Sequence, residues 1–151
     1  MDVDGTVVDN SKRLAYVLGR APMGSPDFWR MFLSGRLFHM DEPLPRAREC
    51  LKEMAKDAKI IYLSGRRTGT EGDTRKQLEG GGFPTGEIFH RKSGKTLDFK
   101  RDKVSELRRR YDIVCAIGDT DEDMEAYRAA GVARVVKTET NKDWTECPCD
   151  D

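Results

Sequence analysis

Four short apolar runs punctuate a chain that is otherwise rich in charge: a stub around Val3, Ile60-Ile61-Tyr62-Leu63, Val114-Cys115-Ala116-Ile117, and Val132 to Val136 with Arg134 interrupting it. They are β-branched and continuous rather than alternating, the pattern of strands covered on both faces of a parallel sheet. Between them apolar residues recur at helical spacing. Over 45–59 these are Ala47, Cys50, Leu51, Met54 and Ala58, and over 102–111 they are Val104, Leu107 and Tyr111. Over 121–130 they are Met124, Tyr127 and Ala130, followed by Gly131, a residue suited to ending a helix. Strand–helix–strand alternation of this kind predicts an α/β domain with a parallel sheet and right-handed crossovers.

Two stretches fall outside that rhythm. Residues 19–42 hold Phe28, Trp29, Met31, Phe32, Leu33, Leu37, Phe38 and Met40, and predict one or two short helices over 28–33 and 37–40. This apolar cluster reads first as packing. Its place just after the acidic opening also makes it a small rim insertion, 20–42, covering a site. Residues 65–86 are crowded with glycine and charge and predict a loop, a helix over 73–78 and a turn. The polar end, 138–151, reads as a loosely held tail in which Trp144 is the one side chain suited to docking, which leaves 1–137 as a single core domain.

A chain of 151 residues fits one domain with one core. At that size it buries about 68% of its unfolded surface, so it needs neither disulfide nor metal merely to fold. Lysine plus arginine total 27 and aspartate plus glutamate total 27, which argues against a general nucleic-acid coat but not against binding a single strand end. Basic residues gather over 91–110. No apolar run approaches the ~20 residues that span a bilayer, and acidic residues at positions 2 and 4 are the wrong start for a secretory leader. The expected location is cytoplasmic. Cys50 and Cys115 fall in apolar patterns and read as buried thiols rather than bridge partners. Cys147-Pro148-Cys149 supplies too few ligands for a tetrahedral zinc site and reads as incidental.

The chemistry is concentrated in acidic clusters at the edges of apolar runs. Asp2 and Asp4 are one residue apart, so both can address one small site where a strand gives way to a loop. Close carboxylates repel unless a cation or shared proton compensates. Gly5 permits a tight turn, and Thr6 can bond locally. Asp119 and Asp123 follow the 114–117 run, and in a parallel sheet the carboxyl ends of strands share an edge, so both clusters would meet there. Oxygen ligands of this kind suit magnesium, which binds carboxylates, substrate phosphate and water. Ser64-Gly65-Arg66 follows Leu63, where a hydroxyl and backbone N–H groups can hold phosphate oxygens. A balancing cation is needed as well; Lys95, Lys100 and Lys103 all qualify, and spacing does not choose among them.

Taken in order, Asp2-Val3-Asp4-Gly5-Thr6, Leu63-Ser64-Gly65-Arg66, Lys100 and Gly118-Asp119-Thr120-Asp121-Glu122-Asp123 resemble the four motifs of the haloacid dehalogenase-like (HAD) phosphohydrolases. The resemblance covers residues 2–123. It implies a three-layer Rossmann-like core, here with a minimal helical cover and no large cap domain. It also implies a magnesium-dependent phosphatase working through an aspartyl-phosphate. By the same match Asp2 is the nucleophile and Asp4 the general acid/base. Ser64, Gly65 and Arg66 bind the phosphoryl group, and Lys100 stabilises Asp2 and that group. Asp2, the Asp4 carbonyl, Asp119 and Asp123 form the metal set. A narrower likeness, over Leu63 to Thr70 with Asp73 and over Lys100 to Asp119, is to the phosphatase domains of phage-type polynucleotide kinase–phosphatases. That likeness favours Lys100 over its neighbours and implies a nucleotide or a nucleic-acid end as one possible partner beside a small phosphorylated molecule. Family members carry several apolar residues before the first aspartate, whereas only Met1 precedes it here, so the expectation is a sequence that begins late. Alternatives within the same resemblance are a phosphotransferase, a phosphomutase or a catalytically silent binding domain.

Overall fold

The parallel sheet is held together by a segment that is barely a strand. In the computed structural model, which describes residues 1–149, the Met1 nitrogen donates to the Ile61 carbonyl at 2.8 Å and the Met1 carbonyl accepts from Leu63 at 2.8 Å. On the other side the Asp2 N–H donates to the Ile117 carbonyl at 3.0 Å. This is parallel pairing, with Met1 opposite Tyr62. Residues 1–3 thus join two ladders: β3 (Ile61–Arg67) with β4 (Glu87–Arg91), and β5 (Ala116–Gly118) with β6 (Val135–Lys137), both parallel. The order across the sheet is β4, β3, residues 1–3, β5, β6. Helices α3 (Pro45–Met54), α4 (Glu71–Gly80), α5 (Thr96–Leu107) and α6 (Asp121–Ala129) lie between these strands in sequence.

Successive strand residues point to opposite faces, and the core follows that rule. Tyr62 and Ile117 pack with Val3, Ala47, Leu51, Leu78 and Trp144, whereas their neighbours Leu63 and Ala116 pack with Val104, Leu107, Met124 and Tyr127. The sheet is therefore apolar on both faces, as the continuous runs predict. Full burial of a leucine or valine such as Leu51 or Val3 contributes about 1.5–3 kcal/mol.

Several boundaries differ from the expected ones. Helix α5 begins at Thr96, six residues before the predicted start, which puts Lys100 inside a helix. Val114 is exposed and outside the ladder, because β6 offers partners only from Ala116 onward. Strand β3 continues through Ser64, Gly65 and Arg66 instead of turning after Leu63, with an irregularity in register between Ser64 and Arg67. Strand β4, Glu-Ile-Phe-His-Arg, was not expected; it lies at the end of the sheet and is only partly buried, so it shows no apolar run.

Residues 10–41 form an excursion closed at its neck by an antiparallel pair, β1 (Val8–Asp9) with β2 (Glu42–Pro43). It contains α1 (Ser11–Leu18), α2 (Pro26–Phe32) and a 3₁₀ helix, Gly35–Met40. Ser25 caps α2, accepting from the Phe28 N–H, with Pro26 in the first turn. Val17, Ala21 and Phe28 form its own small core.

Two expectations about the chain's end are corrected. Residues 138–149 do not hang loose. Trp144 is buried and donates from Nε1 to the Thr6 carbonyl at 2.9 Å. Asp143 accepts from the N–H groups of Arg46 and Ala47 at the start of α3, satisfying orphan donors that Leu44 at the cap position leaves open. Nor are the cysteines unpaired thiols: Cys50 bonds Cys147 and Cys115 bonds Cys149, with Cα separations of 5.3 and 6.3 Å. Both separations lie in the ordinary range for a bridge. The sequence pattern placed Cys50 in the core correctly and Cys115, which is half-buried, against its edge, but could not show that the tail returns to meet them.

Candidate active site

Three carboxylates from two ends of the chain meet at the carboxyl edge of the central strands. Asp2, Asp119 and Asp123 are all buried, and each offers an oxygen within 4.8 Å of the others. Asp2 lies within the 1–3 segment, Asp119 follows β5, and Asp123 lies in the first turn of α6, where Thr120 accepts from its N–H at 3.1 Å. Thr6 sits between them. Its hydroxyl lies 2.9 Å from Asp2 Oδ2 and 3.0 Å from Asp119 Oδ1 and can donate its one proton to either. Gly5 makes the turn possible: it has φ +76°, and a Cβ there would meet Asp119 Oδ2 at 2.5 Å.

Lys100 completes the cluster. Buried on α5, its ammonium donates to Asp2 Oδ1 at 2.7 Å and to Asp123 Oδ1 at 2.6 Å. Geometry therefore separates the three candidate lysines. Lys95 is exposed just before α5, and Lys103 pairs with Glu106 at 3.1 Å. One ammonium among three carboxylates leaves an excess of negative charge in a dry place. Burial pushes Asp2 up to about 6 although Lys100 pulls it down, and Asp119 beside it adds to the rise. Among the described residues the hydroxyl of buried Tyr127 has no hydrogen-bond partner, and it belongs to the same electrostatic neighbourhood. Clustered hard oxygens, uncompensated negative charge and an orphaned hydroxyl beside them fit a divalent cation.

The Asp4 side chain has partners of its own, the metal ligand expected of this residue being its backbone carbonyl. Its carboxylate is not in the triad. It pairs with Arg13 and with Arg66, which donates from Nε at 3.0 Å and from Nη2 at 2.9 Å. Burial opposes its charge, but Arg66 and Arg13 overcome it and hold Asp4 well below the usual carboxylate range.

Arg66 in turn has nothing left to offer a phosphate. All five of its N–H groups are engaged: Nε and one Nη2 donor on Asp4, the other Nη2 donor on Asp41, and Nη1 on Thr74 and Gln77. Its plane lies over the Phe38 ring, 3.7 Å from the centroid. Ser64 and Gly65 precede it on β3. The Ser64 hydroxyl accepts from the Arg66 N–H at 3.1 Å, and a Cβ on Gly65 would press on Thr96 Oγ1 at 2.9 Å, so only glycine lets α5 approach there.

Sequence reasoning missed Arg13 and Asp41. Arg13 is fully buried; it donates to Asp41 at 3.0 Å and to the Phe32 carbonyl at 2.8 Å as well as to Asp4. The available signal was position: Arg13 lies four residues before Val17, on the stripe of α1 that faces inward. The aromatic excursion thereby reaches Asp4, but not as a stacking wall. Phe28 and Phe38 are buried within it, and only Trp29 of the three aromatic candidates is largely exposed.

A family model described as HAD superfamily, subfamily IIIB (Acid phosphatase) matches residues 1–142. The chain belongs to that family. A solved structure, a haloacid dehalogenase-like hydrolase family protein, SP0104, from Streptococcus pneumoniae, shares the fold with a TM-score of 0.70 at 20% identity, covering 97% of this chain and 86% of the other. No curated protein matches. Membership in a HAD phosphatase family implies a phosphorylated substrate. Neither comparison extends to the narrower polynucleotide kinase–phosphatase likeness. Among the described residues, no helix is long and apolar enough to cross a membrane.

Proposed function

We propose that this HAD-family chain is a magnesium-dependent phosphatase that hydrolyses a phosphomonoester through an aspartyl-phosphate on Asp2. The observation that carries the reading is the meeting of Asp2, Asp119 and Asp123, with the Thr6 hydroxyl between Asp2 and Asp119 and the Lys100 ammonium between Asp2 and Asp123. Phosphoryl transfer asks a protein mainly for position and for charge placed where charge develops. The ladders joined through residues 1–3, with apolar residues on both faces, support reading the scaffold as a three-layer Rossmann-like core.

In this reading Asp2 attacks phosphorus and the alcohol leaves; water then attacks the aspartyl-phosphate and frees Asp2. Thr6 and Lys100 fix the two oxygens of Asp2, and Lys100 adds positive charge to the transferred group. The Ser64 hydroxyl and the Gly65 N–H receive phosphoryl oxygens. Asp119, Asp123, Asp2 and the Asp4 carbonyl would hold magnesium, which supplies charge neutralisation to Asp2 and the phosphate. Asp4 is the acid and then the base. The arginine pair favours its ionised form, which suits the base half and opposes the acid half. Arg66 and Arg13 thus act on the chemistry through Asp4.

The substrate we favour is a small phosphomonoester. Burial of Phe28 and Phe38 removes two of the three aromatics that a nucleobase would stack on. The two disulfides suit an oxidising compartment better than the cytoplasm. Asp2→Asn tests the core of the proposal: phosphate release from an aryl phosphate disappears while cooperative unfolding is kept. Normal turnover by that variant would rule Asp2 out as nucleophile. A kcat/KM panel of sugar phosphates, nucleoside 3′- and 5′-monophosphates and 3′-phosphorylated oligonucleotides tests the substrate. A preference for nucleotides above about tenfold, or about 1.4 kcal/mol at the transition state, overturns the small-molecule reading.

A further inference from the structure

Residues 138–149 do more than cover a core. Leaving β6, the chain donates from the Thr138 N–H to the Gly118 carbonyl at 2.8 Å, directly before Asp119. Thr140 Oγ1 donates to Asp119 Oδ2 at 2.7 Å, the oxygen not shared with Thr6. The Asn141 N–H donates to the Gly5 carbonyl at 2.9 Å, and its side-chain amide exchanges two hydrogen bonds with Asn10. Asn141 has φ +59°, a left-handed turn that asparagine tolerates and that aims its N–H at Gly5. Trp144 Nε1 then takes the Thr6 carbonyl. Three successive contacts therefore grip Asp119, Gly5 and Thr6 from outside the sheet. Lys137, Thr138, Glu139 and Thr140 also line a cavity together with Asp119.

Two covalent ties reinforce the hydrogen bonds and the buried Trp144 that hold this segment in place. It contains no helix or strand, Thr140 is exposed, and it has little ladder pairing of its own. Cys147 bonds Cys50 on α3, whose first N–H groups Asp143 also caps, and Cys149 bonds Cys115 just before β5. Both anchors are on elements that pack around the central segment.

We propose that residues 138–149 are a disulfide-fastened strap whose Thr140, Asn141 and Trp144 position Asp119 and the Gly5–Thr6 turn, so that reduction of Cys50–Cys147 and Cys115–Cys149 slackens the site. The proposal rests on the reading of Asp119 and Thr6 as site residues given above. Thr140 is a positioning residue: it touches a metal-binding carboxylate rather than the reacting atoms. Each bridge takes two electrons and two protons on reduction. With dithiothreitol the reagent's two thiols close to a cyclic disulfide as one bridge opens to two cysteine thiols.

The test uses the full chain, oxidised and after dithiothreitol, with thiols counted to confirm that all four cysteines are released. A Trp29→Phe background makes Trp144 the sole tryptophan, so its emission reports whether the strap is docked. Expected on reduction are a red shift of Trp144, faster amide exchange over 3–9 and 116–121, and magnesium binding weakened by about tenfold, the effect of losing one hydrogen bond to a charged group. Unchanged emission with four thiols free overturns the proposal, as does strap release with unaltered exchange at both segments. Thr140→Val keeps both bridges and removes only the hydroxyl. It weakens magnesium binding by about tenfold, and Thr140→Ser restores it; equal affinity in the valine variant refutes the positioning role. If no form hydrolyses a phosphomonoester while exchange and emission respond as expected, the catalytic reading falls and the strap stands.

Discussion

Replacing Arg66 by methionine removes a guanidinium whose five donors all point into the protein. Asp4 loses two charge-assisted bonds, Asp41 loses one, and Thr74 and Gln77 lose a partner each. The buried group of Arg13, Arg66, Asp4 and Asp41 changes from charge-balanced to one cation facing two carboxylates. Methionine keeps the apolar contact with Phe38 and refills part of the volume, so the effect is electrostatic more than a matter of packing. Breaking a buried ion network by deleting one partner costs about 3–5 kcal/mol. Against a total stability of about 5–15 kcal/mol this is a large fraction. Urea unfolding followed by far-ultraviolet circular dichroism should show the midpoint falling by about 2 M, taking a slope near 2 kcal/mol/M. Adding Asp41→Asn restores charge balance, so the double variant should be more stable than the sum of its parts by about 1–3 kcal/mol. Arg66→Lys keeps the charge but not the fork geometry, and should fall between. A variant within about 1 kcal/mol of the parent, with KM for an aryl phosphate raised, would refute this reasoning. That result would return Arg66 to the phosphate-binding role read from Ser64-Gly65-Arg66.

His90 should make stability depend on pH. The Arg67 carbonyl can only accept, so His90 Nδ1 donates to it and, in the neutral ring, Nε2 accepts from the Thr74 hydroxyl; burial lowers the pKa below the ordinary 6.5. The unfolded chain then binds the proton more readily, so stability present above 6.5 is lost as pH falls through the folded value. Unfolding free energies at pH 7.5 and 5 should differ less in His90→Gln, and an identical pH dependence would count against the assignment. Magnesium added after chelation, at about 100 times its Kd, should raise unfolding free energy by about 2.7 kcal/mol in a thermal melt. A shift of the same size in Asp119→Asn would place the ion elsewhere. Trp144→Ala should cost about 3–5 kcal/mol in urea unfolding, as for other buried aromatics. A loss below about 1 kcal/mol would mean that the tail is not part of the core.

Much of the candidate site was legible because its signals are local. Asp-x-Asp followed by Gly-Thr needs only a strand end and a turn, and the Gly118 to Asp123 run carries its own helix start in Thr120 and three acidic residues. Lys100 was legible only through resemblance, since neither its charge nor its spacing separated it from Lys95 and Lys103; its place on α5 does. Arg66 shows the opposite case. Its position after Ser64-Gly65 suggested phosphate, whereas β3 continues through it and turns its side chain toward Asp41 and Gln77.

The sequence by itself determined the helical period of α3, α5 and α6, the two-faced burial of its sheet and the pairing of acidic clusters with strand ends. Each of these follows from spacing along the chain, where side-chain direction repeats every two or 3.6 residues. Tertiary structure alone decided the partners of charges and sulfurs. Arg13 meets Asp4 because a 32-residue excursion closes on an antiparallel neck, and Cys50 meets Cys147 across a separation of 97 residues. Nothing in local spacing encodes such meetings; they arise when packing brings distant backbone together and buried charge must find a counter-charge.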